Sequence, residues 1–249
     1  MLKYLFIGPC KCATCSVYSF LQKHPDIAAS EIKEPFEQLR KVHKKHPSLF
    51  TSADFKDYFD YWKYTSDHVL MDASSSLVIW PNVSQIIRNL MQQETYAIFL
   101  LRNPVDYIRS HILFSEARYP GDITSILDVD DHVAYIRKRY DQFNFLAMYE
   151  KYLYLVDKER IFFTYIDDFH SRIQELCTFL EIDDTFQSQS FPKINTTISY
   201  YSRDLRKYKR FHDIFDLNYR VAFYDKMLQD LLVFKEVTGL DLIDRYSLL

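Results

Sequence analysis

With 249 residues, 48% of them hydrophobic, the chain can bury a sizeable core in one α/β domain or in a domain with a helical annex, and disorder is not expected over most of it. Its formal net charge of −3 offers no global basic field for nucleic acid, so any anion site must be assembled from local lysines and arginines. The apolar start Met1–Gly8 is too short for a secretory signal, no later stretch approaches the ~18 apolar residues of a membrane span, and four cysteines are unlike the framework of a small secreted domain. A soluble, cytoplasmic chain with reduced thiols is expected.

Leu2 to Ile7 is an apolar run of strand length, while Val17, Phe20, Leu21 and His24 fall on one face of a helix. His24-Pro25-Asp26 makes a turn, and Ile27 to Ser30 is short enough for a second strand. The charges of Arg40 to His46 read as a solvated helical face, and Phe55, Tyr58, Phe59 and Trp62 follow the i, i+3, i+4, i+7 rule of an amphipathic helix. Val69 to Met71 is strand-like and runs into the small polar loop Asp72–Ser76. Pro81 precedes a helix carrying Val83, Ile86, Ile87, Leu90 and Met91. Tyr96 to Leu101 reads as a strand buried on both faces of a parallel sheet, and Arg102-Asn103-Pro104 leads into a helix with Val105, Ile108 and Ile112 along one side. Ala117 to Asp131, with Pro120, Gly121 and several acids, is a candidate mobile lid. About Asp131 to Leu155 reads as one long helical region, Arg160 to Tyr165 as a strand, and Asp168 to Glu181 as a helix with Phe169, Ile173, Leu176 and Leu180 inward. Phe186 to Asp216 is a long polar, aromatic and basic connection, and the last helix, around Leu217 to Val237, ends at Gly239 as a C-cap should.

Chemistry concentrates in Phe6 to Ser16, read F-I-G-P-C-K-C-A-T-C-S. A strand-loop-helix aims the loop N–H groups and the positive end of the helix dipole at one point, where Lys11 and Thr14 add a charge and a hydroxyl. That point suits a phosphate or sulfate. The nucleoside-triphosphate loop needs Gly-x-x-x-x-Gly-Lys followed by Ser or Thr, whereas Lys11 comes three residues after Gly8 with Cys12 behind it, which disfavours ATP and GTP. Cys10, Cys12 and Cys15 form C-x-C-x-x-C. A zinc site wants four ligands, and only distant Cys177 or a histidine could complete it, so no metal is expected.

Three segments together resemble one family, the sulfotransferases that use 3′-phosphoadenosine 5′-phosphosulfate (PAPS). Lys11-Cys12-Ala13-Thr14-Cys15 resembles the family's Lys-x-Gly-Thr-Thr or Lys-x-Gly-Thr-Ser signature after a strand. Leu101-Arg102-Asn103-Pro104, with Ser110 eight residues after the arginine, is similar to its Leu-Arg-Asn-Pro or Leu-Arg-Asp-Pro start. Lys33-Glu34-Pro35-Phe36 looks like the Lys-Glu-Pro-x-Phe-Phe segment of bacterial and glycan-type members. Tyr165-Ile166-Asp167-Asp168-Phe169, Phe179-Leu180-Glu181-Ile182 and Thr238-Gly239-Leu240-Asp241-Leu242 extend the likeness nearly end to end, with residues 37 to 67 least covered.

The resemblance implies a three-layer α/β/α fold with a central, mainly parallel sheet of the P-loop nucleoside-triphosphate-hydrolase-like type, as one sulfotransferase domain over residues 1–249. It implies transfer of a sulfuryl group from PAPS to a hydroxyl or amine of a small-molecule or glycan acceptor, with adenosine 3′,5′-bisphosphate released and no metal required. Lys11, Cys12, Ala13, Thr14, Cys15 and Ser16 would surround the 5′-phosphosulfate, and Arg102 and Ser110 the 3′-phosphate, with Arg203 and Lys207 closing over the nucleotide. Lys11 would stabilise the leaving phosphate, and Glu34 is the candidate general base, with His68 and Asp72 as alternatives. Two departures stand inside the loop: Ala13 where the family has glycine, and Cys15 where it has Thr or Ser. Alanine is costly if position 13 needs φ > 0 and harmless in a right-handed first turn, and Cys15 is a poor donor. A P-loop small-molecule or nucleotide kinase, and a non-catalytic nucleotide-binding protein, are the competing functions. Acceptor identity and oligomeric state stay open at this level.

Overall fold

The computed structural model describes residues 2–63, 68–92, 94–118, 129–185, 191–192 and 224–248. The chain forms two compact units, one of residues 1–102 and 149–194, the other of residues 103–148 and 195–249.

The first unit is built on five strands: β1 Lys3–Gly8, β2 Ile27–Ala29, β3 Val69–Asp72, β4 Thr95–Leu101 and β5 Ile161–Tyr165. They run in the order β2-β3-β1-β4-β5, and every pairing is parallel. β1 is thus central, and the run Tyr4 to Ile7 is wholly buried because both faces are covered. Right-handed crossovers put α1 (Thr14–Leu21), which carries the chain from β1 out to β2, on one face. The connections moving the other way, with α2 (Pro35–His43) and α3 (Pro81–Leu90), fall on the opposite face. α7 (Ile173–Leu180) follows β5, and just before it Phe169 packs edge-on against Phe20 of α1, the ring centroids 6.0 Å apart. Tyr4, Phe6 and Gly8 share one side of β1 by the two-residue repeat, while Leu5 and Ile7 take the other.

In the second unit, α4 (Pro104–Arg118), α5 (Val129–Phe143) and residues 145–148 of α6 (Phe145–Tyr152) are joined by a helix over residues 224–238, α8, and by the short α9 (Leu242–Arg245). Tyr107 stacks on Phe145 at 4.9 Å, and Asp230 of α8 accepts hydrogen bonds from the Tyr140 hydroxyl at 2.5 Å and Asn144 Nδ2 at 2.7 Å. Gly239 ends α8 with φ 80, its N–H donating to the Lys235 carbonyl at 2.7 Å, which is the expected glycine cap.

Three elements differ from their sequence pattern. The aromatic helix expected over Phe55 to Trp62 is two 3-10 turns, Ser52–Phe55 and Tyr58–Tyr61. Thr51 and Asp54 close a capping box on the first turn, and the Trp62 indole N–H donates to the Met71 carbonyl at 3.0 Å, so tethers at both ends outweigh the helical period. The long helix expected to Leu155 breaks at Asn144, whose Oδ1 accepts the Leu146 N–H at 2.8 Å and starts α6 afresh. The helix expected from Asp168 begins only at Ile173, and Ile173 is half-buried, although Phe169, Leu176 and Leu180 point inward as expected. The candidate lid lies mostly, at residues 119–128, outside the described residues, as does nearly all of the basic connection, including Arg203 and Lys207.

Candidate functional site

The order of the strands puts a topological switch between β1 and β3, because the connection that leaves β1 runs to β2 while the one that leaves β3 runs the other way, to β4. In such sheets ligands bind beyond the carboxyl end of the strands at the switch, and here that end is Gly8 and the loop to α1. Gly8 is required there by close approach, because a Cβ on it would stand 2.3 Å from the Tyr152 hydroxyl. That hydroxyl is buried and has no hydrogen-bond partner, and its ring packs on Phe6 at 5.3 Å and Phe99 at 4.7 Å.

Beyond Gly8 the backbone enters the left-handed region at Lys11 (φ 61) and again at Ala13 (φ 59, ψ 23). Alternation of left- and right-handed residues turns successive N–H groups toward one side and makes an anion-binding hollow. Ala13 is also the N-cap of α1: its carbonyl accepts from Ser16 at 2.9 Å and Val17 at 3.1 Å, while no side chain caps the helix. The first-turn N–H groups have no acceptor within the helix, so the loop and the helix dipole together favour negative charge at one place.

Side chains complete the hollow. Burial lowers the Lys11 pKa, with Arg102 adding to the effect and the thiols of Cys10, Cys15 and Cys12 opposing it. Thr14 and Ser16 are buried, and Cys15 is half-exposed in the first turn. Cys12 is fully buried and burial pushes its thiol far up, so this sulfur is a packing group rather than a reactive one. Arg102, at the end of β4, donates from Nη1 to the Lys11 carbonyl at 2.7 Å, and its Nε is buried without a partner. Arg102 therefore braces the loop from behind and keeps donor capacity to spare.

Glu34 is the N-cap of α2, with Pro35 at the first helical position, and the Phe36 N–H donates to Ser74 Oγ at 3.0 Å, fixing the start of α2 on the loop after β3. Its side chain is 43% exposed, and Oε1 accepts from Lys33 Nζ at 2.9 Å. The Lys33 ammonium also lies near enough to the Cys15 sulfur to interact with it. The Lys33-Glu34 pair and the loop are thereby brought together.

The alternative bases sit differently. Asp72 is fully buried, its Oδ2 accepting from the Tyr4 hydroxyl at 2.5 Å and from the Tyr58 hydroxyl, its Oδ1 from the Ser74 N–H at 2.6 Å. Burial pushes this carboxyl up against the pull of those donors. A carboxylate so enclosed joins strand to 3-10 turn and offers no free oxygen to a substrate. His68 precedes β3 by one residue, before the pairing of Val69 with Lys3, at the amino end of the sheet and about 20 Å of strand from Gly8 at ~3.3 Å per residue. Ser110 is buried in α4 of the second unit. Among the described residues no three His, Cys, Asp or Glu side chains converge to hold a metal ion, and no helix is long and apolar enough to cross a membrane.

Comparison of the whole chain with solved structures decides the fold. It matches the crystal structure of a sulfotransferase from Alicyclobacillus acidocaldarius with a TM-score of 0.63 at 16% identity, over 97% of each chain. The chain has the sulfotransferase fold. Sulfotransferase domains from the Synechococcus PCC 7002 olefin synthase (TM-score 0.47, 11% identity, 86% of this chain and 94% of that one) and from the curacin biosynthetic pathway (0.46, 14%, 77% and 80%) also match. No protein-family profile and no curated protein matches the sequence.

Within this sulfotransferase fold, two residues at the loop carried no role in the sequence. Lys33 was visible only as the neighbour of Glu34, and a basic residue beside a candidate base is the signal that could have marked it. Nothing in the sequence pairs Tyr152 with Gly8, 144 positions away.

Proposed function

We propose that the chain is a sulfotransferase that moves the sulfuryl group of PAPS to a hydroxyl or amine of a small-molecule or glycan acceptor, with residues 1–249 acting as one domain. The observation that carries this reading is the loop itself. A hollow made by left-handed Lys11 and Ala13 opens at the switch point of a sulfotransferase fold, with Arg102 hydrogen-bonded to its back.

Lys11, Cys12, Ala13, Thr14, Cys15 and Ser16 would hold the 5′-phosphosulfate through backbone N–H groups, the Lys11 ammonium and the buried Thr14 hydroxyl. Arg102, Ser110, Arg203 and Lys207 are assigned to the 3′-phosphate and the nucleotide, where the unpaired Nε of Arg102 supports its part. PAPS supplies the activated sulfuryl group and leaves as adenosine 3′,5′-bisphosphate. The ammonium of Lys11 balances negative charge that grows on the leaving phosphate, and the Glu34 carboxylate takes the proton of the acceptor hydroxyl or amine. Glu34 suits that task better than Asp72 or His68, because it is accessible and on the loop side of the sheet. No metal is assigned a role.

Adenosine 3′,5′-bisphosphate is expected to raise the melting temperature well above any effect of ATP with magnesium, and Lys11→Ala or Arg102→Ala to abolish the shift. Equal shifts for both nucleotides would overturn the donor assignment. Glu34→Gln is expected to keep the shift and lower turnover with labelled PAPS, and wild-type turnover in that variant would remove Glu34 as the base.

A further inference from the structure

We propose that Lys33 is a second cation of the anion site, shared between the donor hollow and Glu34. The inference rests on the sulfotransferase reading above and adds a residue to it. Its basis is a contact between two separate chain segments. Lys33 lies just before α2 and Cys15 in the first turn of α1, and the Lys33 ammonium, which donates to Glu34 Oε1 at 2.9 Å, lies near enough to the Cys15 sulfur to interact with it.

The chemistry of position 15 gives that contact a purpose. A thiol is a weak donor where a hydroxyl would serve an anion well, so the first turn of α1 lacks one side-chain hydrogen bond for its ligand. The ammonium has three donors and reaches the same place from outside the helix. Its side chain is 28% exposed, so the charge is largely withdrawn from water yet still open on one side. Burial alone would lower the Lys33 pKa, but Glu34 and then Cys15 outweigh it and hold it above the ordinary lysine value, so the charge persists through the neutral range. Lys11 feels the same sulfur, so both ammonium groups interact with Cys15. Arg102 approaches the opposite end of the loop, at the Lys11 carbonyl.

Sharing has a consequence for Glu34. An anion at the first turn of α1 competes with the carboxylate for Lys33. As the ammonium turns toward the anion, Glu34 loses its partner and becomes free to accept an acceptor proton. Donor occupancy and the readiness of the base are then coupled through one side chain.

Calorimetric titration of the full chain with inorganic pyrophosphate and with adenosine 3′,5′-bisphosphate tests this without any turnover. Lys33→Met is expected to weaken both by about tenfold, or ~1.4 kcal/mol, and Lys33→Arg to restore most of the loss. Glu34→Gln is expected to tighten pyrophosphate a few-fold in the wild-type background and to have no effect in Lys33→Met. A purely structural lysine would not produce that dependence. Unchanged affinities in Lys33→Met, with its melting temperature retained, overturn the proposal, as does an equal effect of Glu34→Gln in both backgrounds. If Lys33→Met misfolds, failure of the folded Lys33→Arg and Glu34→Gln variants to show the expected affinities overturns it instead. Pyrophosphate binding without adenosine 3′,5′-bisphosphate binding would remove the donor assignment and leave the Lys33 result decisive. Binding of neither by the wild type overturns both.

Discussion

Ala13 stands at φ 59 and ψ 23, a conformation that glycine enters freely and alanine does not. Replacing it with glycine removes a left-handed penalty of about 1–2 kcal/mol for an L-residue. The same replacement loosens the unfolded chain, which costs about 0.4–1 kcal/mol. The difference is a net gain of about 0.5–1 kcal/mol, or about 1–4 °C in melting temperature for a chain of this length. Scanning calorimetry of Ala13→Gly against wild type measures it. Lys44→Gly, at φ 50 just beyond α2, is the control, because it relieves the same kind of strain away from the loop. Both variants should gain stability, and adenosine 3′,5′-bisphosphate affinity should stay within about twofold, since strain present in both free and bound loops cancels from binding. A lower melting temperature for Ala13→Gly with a higher one for Lys44→Gly would refute the left-handed assignment of the loop. A large loss of affinity would refute its preformed shape.

Gly8→Ala should destabilise by about 1–3 kcal/mol, the usual effect of overpacking, and Tyr152→Phe should be neutral to stabilising alone, since a buried hydroxyl without a partner gives up its hydration for no hydrogen bond in return. Urea denaturation of the double variant should recover much of the Gly8→Ala loss; strict additivity would contradict the contact. Asp72→Asn leaves two buried tyrosine hydroxyls facing a neutral amide and should cost about 1–3 kcal/mol by the same measurement, with an effect below ~0.5 kcal/mol counting against the network. Donor affinity should fall on the alkaline side: deprotonation of Lys11 removes the charge that meets the phosphate, and burial sets its pKa below the ordinary lysine value near 10.4, so the loss starts earlier than for a free lysine. Titration of affinity against pH in Lys11→Arg should lack this limb, and an unchanged limb would transfer it to another group.

Much of the fold was legible because buried parallel strands announce themselves as unbroken apolar runs. Tyr96 to Leu101 was read nearly to its true bounds, and Arg102 was placed at its carboxyl end for the same reason. Strand order was not legible, since parallel partners are set by crossovers rather than by local pattern. The aromatic stripe Phe55 to Trp62 misled because the spacing of inward residues is shared by a helix and by tethered 3-10 turns. The tethers at the two ends, the Thr51–Asp54 capping box and the hydrogen bond from Trp62 to Met71, distinguish them. In the sequence Asp72 and His68 were both alternatives to Glu34, the one at the carboxyl end of a strand and the other at the strand itself. The sheet separates them, one enclosed by Tyr4 and Tyr58, the other just before β3 at the amino end of the sheet.

By itself the sequence determined the strand-loop-helix around Lys11, the proline-led helices at Pro81 and Pro104, and the residue types that suit an anion, because these depend on neighbours a few positions apart. The tertiary structure alone decided that Ala13 is left-handed, that Arg102 grips the Lys11 carbonyl, that Tyr152 fills the space glycine leaves at position 8, and that Lys33 meets Cys15. Those contacts join segments 18 to 144 residues apart, and only the packing of the sheet brings such segments within reach.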